Sequence, residues 1–548
     1  MMGLDDNSRE MMINGIKAFA ERNLPEDYLL ELDKKGQEIP LEKIREMYDP
    51  TKLGINLLMI PTEFGGIGAS SFDMYQICET LAGIDLGVAT SVFATFLGMD
   101  PLRVGGTPDQ KKKWFTRLAK ERLLVAYGAT EAEAGSDLGS IKTKARPVEK
   151  DGKITEYRIT GNKQWISNGG TADLYLILAK DSKAYSWFIV EGDSKGIEFN
   201  RPEEKHGIRL ADTTAFSLDD VKVPAENLVG LEEGHGLTQA QAVFGSTRVM
   251  VAAFGLGGGW AALSRAISYS QSRIQGGGPL SDKQGYTHKL IVPHAVRLEA
   301  SRAYIEYVSE ALDVKEEGLQ TEGAIAKWSA TEAGNAAADA SIQALGGYGY
   351  VHEMVIEKIR RDVRITQIYE GTNEILEMTI ARNRWQEHLK SRGKYYENMA
   401  EEADRVHSSE PGVGADTAAN ALRALGNIYE HCRVQKLTRN QHILFRLGEL
   451  SSWAETAYMF SKKAAEENYS KAVRFDRETW QAMARVYARD SSIKIALDGI
   501  RYILGFGDGE PSLLRSQLNL DKIMIGQKGQ KDDMDLVAEK LKGVFKMA

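Results

Sequence analysis

At 548 residues, with 43% hydrophobic and 27% charged side chains, the chain is too long for a single hydrophobic core, and about three or four domains are expected. A net charge of −8 argues against a general nucleic-acid surface, which needs a basic field. Two cysteines, Cys78 and Cys432, cannot build a disulfide framework or a cysteine zinc site.

Residues 1–123 read as a helical domain. Asn7 or Ser8 can cap a first helix with Met11, Met12, Ile16 and Phe19 on one side, and Pro25 closes it. Further helical runs span Met74–Leu81, where Cys78 reads as core, and Gln110–Lys120; Pro61–Gly68 is a turn-rich connector. The acidic, polar start argues against a secretory signal. No run of about 18 apolar residues marks a membrane helix, and Gly/Ala-rich Val249–Leu263 reads as a packed core helix. Cytoplasm is the default location.

Residues 124–237 change texture. Leu174–Ala179, Ser186–Val190 and Ala215–Leu218 are short apolar or alternating runs, separated by turn residues such as Asp151-Gly152 and Asn168-Gly-Gly170. That pattern predicts a small β domain. Helical periodicity returns over 238–390, broken at Gly276–Pro279, and a further helical region covers 391–548. The Gly255–Gly259 run sits in a helical context and suggests close helix packing.

Three segments could carry chemistry. Tyr127–Asp137 (YGATEAEAGSD) places hydroxyls and glycines where backbone could approach a planar or phosphorylated ligand; by itself it reads first as an ordinary polar loop. In Gly161–Gly170 (GNKQWISNGG), Trp165 could stack on an aromatic cofactor or simply fill a barrel. Glu370, between Ile368-Tyr369 and Gly371, suits a carboxylate presented at a helix–loop junction, where partial desolvation would raise its pKa and let it accept a carbon-bound proton. A solvated loop glutamate is the plain alternative. No strand-borne GxGxxG, GxxxxGK[ST] or HExxH occurs, and the nine histidines show no ligand spacing.

Six pieces in this order, Pro61–Gly68, Thr130–Asp137, Gly161–Gly170, Asp219–Pro224, Gln343–Gly347 and Ile368–Thr372, resemble the acyl-CoA dehydrogenase family, over roughly Met11 to Leu389. The 289–297 stretch and the tail are similar to its long bacterial and very-long-chain branch. The resemblance implies a mainly α protein with a β domain: an N-terminal helical domain, a middle β-barrel domain, a C-terminal four-helix bundle and an additional helical extension. It further implies FAD-dependent α,β-dehydrogenation of an acyl-CoA to the trans-2-enoyl-CoA, with a medium- to long-chain fatty acyl group expected. Sulfur-containing, branched or cyclic acyl groups, an acyl-CoA oxidase and a non-enzymatic assembly or flavin-carrier protein are the alternatives.

Carried over by position, Glu370 is the catalytic base. The region of Thr247, where some members place it, reads Gly245-Ser-Thr-Arg248 and has no carboxylate. Tyr127, Ala129 and Thr130 line the flavin ring, Ser136 meets the pyrophosphate, Trp165 flanks the ring and Ser167 bonds the hydride-accepting nitrogen. Arg273, Gln343 and Gly347 hold the adenosine diphosphate end of a neighbouring subunit's FAD, and Thr372 closes the flavin site. The usual aromatic after that arginine is missing, since Arg273-Ile-Gln runs into Gly276. Electron-transferring flavoprotein is the implied acceptor and a homodimer the implied assembly, with membrane contact through the tail left open.

Overall fold

The structure, a computed structural model, describes residues 3–36, 38–315, 319–470 and 474–545. By internal contacts the chain divides into two compact units. One holds Met1–Met250 with Leu312–Gly318 and Arg361–Ile365; the other holds Val251–Ala311, Leu319–Arg360 and Thr366–Ala548.

The first unit opens with α1 (Asp6–Asn23), α2 (Glu26–Lys35), α3 (Leu41–Met47), α4 (Ser71–Ile84), α5 (Leu86–Gly105) and α6 (Pro108–Glu121). The cap of α1 is Asp5, which precedes Asn7 and Ser8 in the chain: its carboxylate accepts the Ser8 N–H at 2.7 Å. The buried face of α1 is Arg9, Ile16, Phe19 and Ala20, while Met11 is exposed. Arg9 displaces the methionines because its guanidinium reaches the buried Asp73 carboxylate of α4 at 3.0 Å. Ser70 and Asp73 form a reciprocal capping box at the start of α4. Cys78 is buried on that helix, and burial pushes its thiol well above the ordinary range.

Seven strands follow: β1 (Val125–Gly128), β2 (Lys144–Lys150), β3 (Lys153–Ser167), β4 (Leu174–Lys180), β5 (Tyr185–Glu191), β6 (Ile197–Pro202) and β7 (Thr213–Pro224). They form one sheet in the order β1-β4-β2-β3-β7-β6, with β5 also on β4. The β1–β4 pair is parallel, and β2 joins β3 antiparallel through the two-residue turn Asp151-Gly152, both residues left-handed as such a hairpin requires. β4 is buried along Leu174–Ala179 because both of its faces are covered, which explains its unbroken apolar run. Ala126, Ala145, Tyr157, Ile177, Phe188 and Phe216 meet in one core, so the sheet curls around it as a barrel.

The second unit is helical. The long α7 (Gly236–Ser272) enters it, and a small hairpin follows, β8 (Ile274–Gln275) with β9 (Gly278–Pro279), where the sequence showed only a loop. Next come α8 (Gln284–Leu290), α9 (Val292–Lys315), α10 (Gln320–Leu345), α11 (Ile356–Val363) and α12 (Asn373–Lys390). The tail supplies α13 (Tyr395–Ser409), α14 (Ala415–Val434), α15 (Gln441–Ala465), α16 (Arg477–Phe506), α17 (Pro511–Gln517), α18 (Leu520–Gly526) and α19 (Gln530–Val544). Gly245–Ser272 is apolar and long enough to cross a membrane by composition, but 89% of its apolar 18-residue window is buried inside the protein.

Helices α7, α9, α10 and α12 form the bundle. Gly255 and Gly259 of α7 lie against Ala330, Thr331 and Gly334 of α10 and Leu298 of α9, close enough that backbone touches backbone. The tail shares this core. Glu299 of α9 accepts the indole N–H of Trp260 at 3.0 Å on one oxygen and of Trp480, from α16, at 2.9 Å on the other. The Arg384 guanidinium of α12 binds Glu322 of α10 at 2.8 Å and Glu455 of α15 at 2.7 Å. Phe545 stacks on Trp260 with ring centroids 5.4 Å apart.

Candidate active site

The sequence-predicted residues fall into two groups, one in each unit. In the first unit, β1 delivers Tyr127, whose ring lies 4.6 Å from that of Trp187. Ala129 follows with its methyl buried, then half-buried Thr130, and Ser136 on an exposed loop. Glu131 and Ala134 exchange N–H···O bonds of 3.1 Å, closing a tight turn that projects Gly135 and Ser136.

Two residues from β3 complete this group. The pairing of β3 with β7 slips between Lys163 and Ile166, and within that bulge Trp165 adopts φ = 57°. An aromatic residue in the left-handed region carries about 1–2 kcal/mol of strain, and its indole is still 55% exposed. A strained, outward-facing tryptophan does not fill the core, so the barrel-filling alternative is removed. Ser167, half-buried, pairs with Thr213. The turn behind it is fixed by Asn168, whose side chain donates to the Ser91 carbonyl at 2.9 Å, and by Asp212, which accepts the Gly170 N–H at 2.5 Å.

Beneath the loop lies a pair the sequence did not single out. Lys163 and Glu131 are both buried and 2.9 Å apart. Burial pulls the Lys163 ammonium down to about 8 against the opposing pull of Glu131. The carboxylate is desolvated too, yet hydrogen bonds from Thr143, Lys142 and Lys163 outweigh that and hold it below its usual range. The pair is therefore ionised at neutral pH.

In the second unit, Glu370 lies between the 3₁₀ turn Arg364–Gln367 and α12, half-buried, at φ = 55°; Gly371 follows at φ = 89°. Two successive left-handed residues make a sharp bend that propensity alone would not populate. The bend is clamped from α10. Buried Lys327 donates to the Gly371 carbonyl at 2.7 Å and to Asn373 Oδ1 at 3.1 Å. Glu332 accepts from Gln367 and from Asn373, both at 2.7 Å. Thr372 caps α12, its hydroxyl accepting the Ile375 N–H at 3.4 Å. Neither Lys327 nor Glu332 is recognisable in sequence, because only the folded bundle sets α10 beside the bend.

Arg273, Gln343 and Gly347 gather at one end of the bundle. Arg273 closes the last turn of α7 on the Tyr269 carbonyl, the Tyr269 ring lies 6.1 Å from that of Tyr348, and Tyr286 of α8 ties down the Ala344 carbonyl at 3.0 Å. All three predicted residues are exposed. Elsewhere, a cavity of about 450 Å³ lined by His388, Arg392, Arg423 and Glu430 contains none of the predicted residues.

Comparison with known proteins follows the same layout. The family descriptions "acyl-CoA dehydrogenase, N-terminal domain", "middle domain" and "C-terminal domain" match residues 6–122, 126–221 and 234–384. An acyl-CoA dehydrogenase of Bacillus subtilis is 35% identical over 381 residues, 68% of this chain and 96% of that protein. The solved butyryl-CoA dehydrogenase of Megasphaera elsdenii is 34% identical, with a TM-score of 0.64 over 70% of this chain and 99% of its own. An acyl-CoA dehydrogenase of Bacillus anthracis, solved in complex with FAD, superposes at TM-score 0.82 over 98% of this chain and 95% of its own, at 24% identity. That last likeness establishes a shared fold that includes the helical tail.

Proposed function

Because this chain belongs to the acyl-CoA dehydrogenase family, we propose that it holds FAD and oxidises an acyl-CoA thioester to the trans-2-enoyl-CoA, with Glu370 as the base. The observation that carries the reading is the clamped left-handed bend at Glu370-Gly371. Strain of this kind persists only where surrounding contacts over-determine it, and it gathers at working sites.

The residues present fit the cofactor. Trp165 offers an exposed indole for a flat ring, the half-buried Thr130 and Ser167 carry hydroxyls on the adjoining loop and strand, and a side chain at Gly135 would meet nothing within 4 Å, so backbone there is open to a phosphate. Bound there, FAD supplies the two-electron sink for the β-hydrogen. Glu370 takes the α-proton, and the bend that carries it is held by the Lys327 contact to the next carbonyl. By resemblance, the Glu370 backbone N–H donates to the thioester oxygen, where negative charge develops. Tyr127 and Ala129 border the ring, Ser136 takes the pyrophosphate, and Thr372 closes the site. Arg273, Gln343 and Gly347 serve the neighbouring subunit's FAD in a homodimer. A medium- to long-chain fatty acyl-CoA is the substrate and electron-transferring flavoprotein the acceptor.

The test is Glu370→Gln. The variant should remain yellow and bind acyl-CoA while turnover drops by about two to four orders of magnitude, the range for loss of a general base. Turnover at the wild-type rate would remove Glu370 from the mechanism.

A further inference from the structure

The loop 129–136 and the bulge at Trp165 belong to different parts of the chain, yet one side chain governs both. Lys163, 1% exposed, donates from Nζ to the carbonyl oxygens of Ala129 at 3.1 Å and Leu178 at 2.8 Å and to Glu131 Oε1 at 2.9 Å. These acceptors lie just past β1, on β4 and in the loop. Glu131 in turn accepts the backbone N–H of Lys142 at 2.6 Å and of Thr143 at 3.0 Å. The next residue along β3, Gln164, donates its N–H to the Thr130 carbonyl at 3.0 Å. The one after that is Trp165, turned outward. Ammonium inside, backbone clamp on Thr130, indole outside: three consecutive residues join the loop to the bulge.

An apolar side chain would fill this part of the barrel with less desolvation, and replacing a whole buried ion pair by apolar groups is often neutral or stabilising. What an apolar side chain lacks is direction. An ammonium with three donors, spent on two oxygens of the 129–136 loop and one of β4, fixes where the loop, β4 and β3 stand relative to one another.

We propose that Lys163, through its pair with Glu131, is a positioning residue for FAD: it sets the Ala129–Ser136 loop against the Trp165 bulge so that both meet one planar ring. This rests on the FAD assignment above. Lys163 itself touches no cofactor, since its donors are consumed by Ala129, Leu178 and Glu131.

The experiment uses the full chain and three variants: Lys163→Met, the double variant Glu131→Gln/Lys163→Met, and Lys163→Arg. FAD affinity is read from flavin fluorescence, the bound flavin from its visible spectrum and midpoint potential, and fold integrity from thermal unfolding of the apoprotein. Lys163→Met strands a buried carboxylate, so apoprotein stability and FAD affinity both fall. The double variant removes that stranded charge, so apoprotein stability recovers while FAD affinity stays at least tenfold weaker and the flavin spectrum stays shifted. Lys163→Arg keeps the charge but spreads its donors over a larger planar fork instead of aiming three from one atom, so FAD affinity falls severalfold while the apoprotein melt falls by no more than a modest overpacking cost. Wild-type affinity and spectrum in the double variant or in Lys163→Arg would overturn the role, as would FAD affinity that simply tracks apoprotein stability across the series. A wild-type protein that takes up no FAD would instead overturn the proposed function, and this role with it.

Discussion

Replacing Gly334 by alanine gives the sharpest test of how the bundle is built. Gly334 of α10 faces Gly255 of α7, and a Cβ at 334 would stand 2.8 Å from the Gly255 carbonyl carbon and 3.1 Å from its Cα, with the carbonyl oxygen nearer still. Every one of these atoms is backbone, so no rotamer change relieves the contact and the two helices must part. Overpacking a core by one methyl costs about 1–3 kcal/mol when neighbours can shift, and a helix–helix backbone contact belongs at the upper end. Alanine returns about 1 kcal/mol through its better helix propensity, leaving a net loss of about 2 kcal/mol. Gly543 on α19, where an added Cβ meets nothing within 4 Å, is the control, and Gly543→Ala should be neutral or stabilising by up to about 1 kcal/mol. Urea titration followed by helical circular dichroism, comparing the midpoint of the first transition because a chain of two units need not unfold in one step, reads both. Equal midpoints for the two variants would refute the backbone-contact argument.

Two further outcomes follow from individual side chains. Burial pushes the Glu377 carboxyl from 4.5 up to about 7, with Arg446 pulling the other way; between those values the folded protein holds a proton the unfolded chain has released, so stability falls as pH rises through that window. Glu377→Gln, which can still accept the Trp328 indole N–H now bonded at 3.1 Å, should therefore raise stability by about 1–3 kcal/mol at pH 8 and leave it unchanged at pH 4.5. A variant equally stabilised at both values would show that the carboxyl is not held neutral. Trp165→Gly should relieve about 1 kcal/mol of left-handed strain and leave the apoprotein at least as stable, while FAD dissociates markedly faster in a fluorescence release assay. Unchanged FAD release would place the exposed indole outside the cofactor site.

The tail changes what the bundle is. Glu299 bonded to Trp260 and Trp480 at once, and Arg384 held between Glu322 and Glu455, put tail residues at the centre of the polar network of α9, α10 and α12. Removing α13–α19 would take the Trp480 donor from Glu299, leaving it Arg302 and Trp260, and would take Glu455 from Arg384, leaving it Glu322. The extension is thus part of the second unit's core, which agrees with the internal contacts that place it there.

Local chemistry made much of this protein legible in its sequence. Apolar periodicity separates helix from strand, Asp151-Gly152 announces a hairpin, the Gly255–Gly259 run announces close helices, and six short motifs in order identify the family, because each of these signals is written within about ten consecutive residues. Tertiary structure alone decided the rest. Lys163 meets Glu131 across 32 residues and Lys327 meets Gly371 across 44, and neither lysine differs in sequence from one on a solvated face. The left-handed turns at Trp165 and Glu370 oppose local preference and exist only because a strand bulge and a clamp from α10 impose them. Motifs name the candidate residues; the buried cations beside them are chosen by which faces meet, and that is settled only when the chain folds.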